Sequence, residues 1–195
     1  MKTLYKSTYK VGGGTVELLV GTITRYDTKA LVCPANIDLT IVAFPGNIQN
    51  DFLTKFGKEL FELEAILKPV PPTSAYLKVT KDSHVKHVIH SVAVGCDKEE
   101  KGEYCNVDII RESTRNVLKL ANENSIKSIG FPPLGVMDWK LPLEDAVNAM
   151  GDEFAAHLNG NTSIDKIGLV LHYKDLYKPS MQILDKKHGY KKVRK

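Results

Sequence analysis

Cysteine is scarce and odd in number: the 195-residue chain has three, Cys33, Cys96 and Cys105. Their spacings match no zinc or dithiol redox pattern, so a disulfide framework is excluded and free thiols in a reducing compartment are expected. Long apolar runs are absent too. No stretch approaches the ~20 residues that cross a bilayer, and residues 1–10 lack the apolar core of a signal peptide. An intracellular location, cytoplasmic or nuclear, is therefore expected, with no membrane partner. Tryptophan occurs once, as Trp139.

What is present is an ordinary globular composition, 43% hydrophobic and 26% charged. The length suits one domain with a core that needs no staples. The net charge of +4 is unevenly spread: Lys186, Lys187, Lys191, Lys192, Arg194 and Lys195 fall in the last ten residues, which contain no acid. Without those six the count is 21 basic against 23 acidic, a mildly acidic body of −2. The expected organisation is a single domain over residues 1–185 and a basic, flexible tail over 186–195. A solvated terminus is the simpler reading of that tail, and weak contact with nucleic-acid phosphates is the alternative.

Residues 3–11 and 15–20 read as strands joined by Gly12-Gly13-Gly14, a turn rather than a phosphate cradle. Residues 30–33 form a short buried strand and an irregular stretch runs to about residue 50. Phe52, Phe56, Leu60, Leu63 and Leu67 then mark one face of a helix, stopped by Pro69, Pro71 and Pro72. Strands follow at 75–79 and 87–94. A helix carries Val107, Ile110, Thr114, Val117 and Ala121 and ends near Asn124. A strand at 128–131 precedes a helix with Pro142 in its first turn, burying Leu143, Ala146, Met150, Phe154 and Leu158. A strand at 166–171 and a helix over 176–185 complete the chain. Short apolar strands separated by helices predict a mainly parallel sheet covered on both faces. Ligands of such sheets sit outside the carboxyl ends of the strands. Two loops lie there, one with Pro34-Ala35-Asn36 and one with Leu134-Gly135-Val136-Met137-Asp138-Trp139.

Six segments, in order, resemble the macrodomain family. They are 16–24, ending Gly21-Thr22-Ile23-Thr24; 30–36, ending Pro34-Ala35-Asn36; Gly57-Lys58-Glu59-Leu60; 87–92, centred on Ile89-His90-Ser91; 126–132; and 141–146. The resemblance spans nearly the whole chain. It implies a three-layer α/β/α sandwich with a mixed, mainly parallel central sheet, and a cleft for ADP-ribose. Family members read ADP-ribose or poly-ADP-ribose, or hydrolyse ADP-ribosyl esters and ADP-ribose phosphate. The ligand residues it implies here are Thr22, Ile23, Asn36, Gly46, Asn47, Ile48, Leu134, Gly135, Val136, Met137, Asp138, Trp139 and His172. No metal, cofactor or catalytic residue is assigned.

The sequence departs from the family where ligands bind. Thr22 replaces the adenine-binding aspartate, offering a hydroxyl without charge assistance. Asn36 keeps the position that contacts the distal ribose. Val42, Ala43, Phe44 and Pro45 cover most of the first glycine-rich loop. Its hydrolase aspartate becomes Gly46 or Gln49, according to the direction of counting, and neither is a general base. Val136 and Met137 crowd the second loop, and Asp138 adds negative charge that Lys140 offsets. Asn36 also suits a turn former, Trp139 a packing residue and His90 a core histidine. Three functions follow, in order of preference. The first is a module binding ADP-ribose or a related nucleotide, including ADP-ribosylated protein. The second is a protein or nucleic-acid interaction module that has lost the ligand. The third is a hydrolase with a substitute acid among Asp38, Asp51 and Asp138.

Overall fold

A computed structural model describes residues 5–41, 45–62, 68–96, 103–137 and 139–193. Its strands are β1 (Lys6–Val11), β2 (Gly14–Val20), β3 (Ala30–Ala35), β4 (Ala75–Val79), β5 (His87–Val92), β6 (Gly95–Cys96), β7 (Glu103–Tyr104), β8 (Ser128–Phe131), β9 (Lys166–Leu171) and β10 (Lys191–Lys192). Its helices are α1 (Ile48–Phe56), α2 (Val107–Glu123), α3 (Leu143–Leu158) and α4 (Tyr177–Lys186). Eight strands make one sheet in the order β10-β1-β2-β9-β8-β3-β5-β4. The pairs β2–β9, β9–β8, β8–β3 and β3–β5 are parallel. The edges are antiparallel, β10–β1–β2 on one side and β4–β5 on the other.

Side chains of the central strands alternate between two cores, as a strand period of two requires. Leu18, Val32, Ile89 and Leu169 join the larger core with α2, α3 and α4. Their neighbours Leu19, Leu31, Cys33, Val88 and Val170 join the smaller one with Phe52 of α1. The fold is therefore a three-layer α/β/α sandwich with a mixed central sheet. Close approach needs glycine at one place: Gly130 of β8 faces Gly168 of β9, and the Tyr26 ring lies over both. The Tyr26 hydroxyl donates to Glu17 Oε2 at 2.9 Å.

Several boundaries differ from the sequence expectation. The first long helix starts earlier, at Ile48, because Asn47 Oδ1 accepts the Asn50 N–H at 2.9 Å and caps it. It also stops earlier. Gly57 takes φ 79°, and a 3-10 turn over Lys58–Phe61 replaces the continuation. Leu63 and Leu67 lie outside the described residues. Strand β5 ends at Val92 rather than at 94, and the chain leaves into the β6–β7 ribbon. Pro142 stands at the N-cap position of α3, just outside its first turn, without a side-chain cap bond.

The basic C-terminal segment, expected to fray, is docked. Tyr190 is 8% exposed and its hydroxyl donates to the Gly151 carbonyl at 2.8 Å. Lys187 Nζ meets Asp152 at 2.7 Å, and Lys192 Nζ meets Asp185 at 3.0 Å. Strand β10 pairs with β1. The buried tyrosine and these ion pairs give the segment partners that counting its charges does not reveal.

His90 lies on β5, one strand in from the β4 edge, 2% exposed, with Nε2 3.0 Å from the Leu60 carbonyl and its ring edge-on to Phe61. That carbonyl is an acceptor, so Nε2 carries the proton. Burial pulls the ring's pKa down to about 4 and the Lys78 charge adds to this, against the Leu60 bond. Below pH 6.5 the unfolded chain therefore binds a proton that the folded chain refuses. Stability present above that pH is lost as pH falls toward 4, by up to about 3 kcal/mol for this residue. His90→Gln keeps a donor for Leu60 and does not titrate. Denaturation midpoints between pH 7 and pH 4 should fall less steeply in that variant. Equal slopes would show that His90 does not titrate with folding.

Candidate functional site

The parallel strands end together at one edge of the sheet, and a cavity of about 330 Å³ opens there. Pro34 and Ala35 of β3 form its floor with Asn36 just beyond them. Ala93 and Val94 follow β5, whose Val92 pairs with Ala35. Gly46 to Gln49 bring in the first turn of α1. Gly135, Met137 and Trp139 come from the loop after β8, and His172 and Tyr173 from the end of β9.

Each wall has a local cause. Strand β3 stops because Asn36 builds a turn: its Nδ2 donates to Thr40 Oγ1 at 2.7 Å, and its Oδ1 accepts the Thr40 N–H at 2.9 Å. The Leu39 N–H reaches the Asn36 carbonyl at 3.1 Å, with Leu39 itself at φ 49°. Asn36 is thus a turn former and a cavity residue at once. Gln49 Nε2 donates to the Pro34 carbonyl at 2.9 Å and ties α1 to the end of β3. Gly135 stands at φ 77°, where a Cβ would come within 2.9 Å of Ile110 Cδ1 and 3.0 Å of Cys105 Sγ. Its carbonyl accepts the Leu141 N–H at 3.1 Å and closes the loop. The rings of His172 and Tyr173 meet edge to face at 4.8 Å.

Among the described residues the lining holds no Asp, Glu, Lys, Arg or Cys. The group there that can favour an anion is the N-terminal end of α1, with partial positive charge and N–H groups directed along the helix axis, opposed by Asp51 in the same first turn. The two described thiols are unsuited to attack. Cys33 is buried, which pushes its pKa well above the ordinary thiol value, and burial raises Cys105 to about 11. Asp38 and Asp51 are not in the wall.

Of the residues expected from sequence, Asn36, Gly46, Asn47, Ile48, Gly135, Met137, Trp139 and His172 share this cavity. Ile23 and Leu134 do not: at 3% and 1% exposure their side chains belong to the two cores. Thr22 and Val136 are outside the wall as well. Thr22 leaves β2 beside the end of β9, since Val20 pairs with Leu171 and the Gly21 N–H reaches the Leu171 carbonyl at 2.9 Å. Asp138 lies outside the described residues, as do residues 42–44 of the altered first loop. Trp139, at 37% exposure, faces the cavity instead of packing inside. Sequence reasoning missed Ala93 and Val94. The signal was available, because a strand parallel to β3 must end beside it.

Comparison with known proteins adds a family and a fold. The family model described as Macro domain matches residues 32–150. A protein of Aquifex aeolicus (strain VF5) is 30% identical over 139 residues, covering 71% of this chain and 79% of its own length. The solved Oceanobacillus iheyensis macrodomain with ADP superposes with a TM-score of 0.76 at 19% identity, over 92% of this chain and 95% of that one. The Trypanosoma brucei macrodomain in complex with ADP-ribose gives 0.69 at 21% identity, over 86% and 68%. At these identities the two structures establish a shared fold.

A test of the loop follows from Gly135. Gly135→Ala should lower unfolding stability by about 1–3 kcal/mol, through the left-handed φ and the crowding against Ile110 and Cys105. Denaturant titration measures this, and an unchanged midpoint would show that the loop yields freely.

Proposed function

Because this chain belongs to the Macro domain family, we propose that its cleft binds ADP-ribose or a related nucleotide, either free or attached to protein. The observation that carries this is the open cavity where the parallel strands end, with the N-terminal turn of α1 on one side and the Gly135–Trp139 loop on the other. Its volume suits a small-molecule ligand. The diphosphate lies between Gly46–Ile48 and Gly135, where backbone and helix dipole supply the positive potential. The base lies toward His172–Tyr173 at the end of β9, on the side where Thr22 and the Ile23 backbone leave β2, and the distal ribose lies by Asn36. Trp139 offers an exposed ring for one of the sugar or base faces. Two solved proteins of the same fold hold ADP and ADP-ribose, which supports a nucleotide of this class.

Binding is favoured over hydrolysis. No carboxyl side chain lines the cavity among the described residues, so nothing on that wall stands ready to take a proton from water. An interaction module that has lost the ligand would not need to keep such a cavity open.

Calorimetric titration with ADP-ribose is the test. A dissociation constant in the micromolar range, about −8 kcal/mol, is expected, and no heat at millimolar ligand would overturn the reading. Asn36→Ala should weaken binding more than about tenfold, because it removes a polar ligand contact and frees the turn that positions it. An unchanged constant in that variant would leave Asn36 as a turn former alone.

A further inference from the structure

Tyr173 forms a wall of two cavities. On one side is the cleft, and on the other an open hollow of about 630 Å³ lined by Tyr5, Tyr173, Lys174, Asp175, Tyr177 and Lys178. The hollow is built from rings held in place. Tyr5 and Tyr177 meet edge to face at 5.5 Å, and the Tyr177 hydroxyl is 2.8 Å from Ser7 Oγ. The carbonyl of Tyr5 accepts the Val20 N–H at 3.1 Å, so Tyr5 is anchored to β2. Lys174 Nζ stands over the Tyr5 ring at 5.0 Å. The Tyr5 side chain beside it raises its pKa above the ordinary lysine value. The ammonium is thus positioned before any ligand arrives. Lys178 is exposed on the first turn of α4, a turn with no acid and no side-chain cap. Two lysines against Asp175 leave the lining with one net positive charge.

We propose that this hollow is a second subsite, which takes a phosphate group carried on the adenosine half of the nucleotide seated in the cleft. The proposal rests on the nucleotide reading of the cleft, and Tyr173 links the two. A ligand whose base end reaches Tyr173 has its adenosine ribose beside the shared wall. A phosphate on that ribose then extends toward Lys174, Lys178 and the N-terminal turn of α4, the cationic groups on that side. The cleft's own lining offers no cation among the described residues, so a ligand carrying the extra phosphate gains a complement that the cleft alone lacks.

The test compares two ligands by calorimetry at low salt: ADP-ribose and its 2′-phosphate. Wild type should bind the 2′-phosphate about fivefold tighter than ADP-ribose, and added salt should shrink the gain. A gain with the 2′-phosphate that vanishes when its 2′ monoester is removed identifies that phosphate as the group bound. The double variant Lys174→Gln, Lys178→Gln should lose the gain while keeping the wild-type constant for ADP-ribose. Both lysines are exposed, so the variant should fold, and its melting temperature checks this. Absence of any gain in wild type, or a gain that survives the double substitution, overturns the subsite and leaves the cleft reading intact. Failure of wild type to bind ADP-ribose or its 2′-phosphate removes both readings together.

Discussion

The parallel pairing of β2, β9, β8, β3 and β5 is the constraint on which the rest depends. Each strand must place its backbone N–H and C=O groups in the ladder, because both faces of the sheet are buried. Register then leaves no freedom: a slip of one residue would move Leu18, Val32 and Ile89 from the larger core to the smaller. Parallel strands also end at the same edge. There the ladder runs out and the chain must turn, and the turns after β3, β5, β8 and β9 come together around one cavity. The cleft is thus a consequence of topology before any side chain is chosen. Gly130 and Gly168 show how tightly that topology is packed, since Tyr26 occupies the space their side chains would need.

The cleft and the hollow beside it attract anions by different means. In the cleft, neutral amides, aromatic rings and the end of α1 do the work, fixed by Asn36 to Thr40 and Gln49 to Pro34. Fixed dipoles in a partly enclosed site are little screened by salt. The hollow relies on Lys174 and Lys178 in open solvent, where a Debye length of about 8 Å at physiological salt weakens any attraction. A ligand that uses both should therefore bind with a core affinity insensitive to salt and an increment that salt removes.

Much of this was legible in the sequence. The apolar periodicity of α2 and α3 fixed both helices within a few residues, and the order of strands and helices pointed to the edge where the cavity lies. The chain-wide resemblance brought Asn36, Gly46, Gly135, Trp139 and His172 to one place. What escaped has physical reasons. The apolar face from Phe52 to Leu67 reads as one helix, yet the left-handed φ of Gly57 breaks it, and that angle is a matter of backbone rather than pattern. Ile23, in a 3-10 turn after β2, and Leu134, in the loop after β8, have apolar side chains that gain more by burial in the cores than by lining the cleft. The role of Asn36 in its own turn depends on Thr40, four residues on, a pairing that no periodicity marks.

The C-terminal segment shows why net charge alone is a poor guide to partners. Six of its last ten residues are basic, which suggests phosphate contact. In the structure Lys187 and Lys192 lie against Asp152 and Asp185. Asp152 also meets Arg111, and its neighbour Glu153, 6% exposed, is gripped by Arg115 through two hydrogen bonds of 2.9 and 3.0 Å. The acids that give the body its slight negative charge are thus partly gathered where the basic segment returns. Exposed pairs of this kind contribute little individually. What they accompany matters more, because burying Tyr190 against Gly151 brings Lys191 and Lys192 beside β1 as a two-residue strand. An open β1 would offer its unpaired N–H and C=O groups to any passing strand. Covering it with two lysines presents a short, charged edge that discourages further pairing, so the positive charge at this end serves the integrity of the sheet.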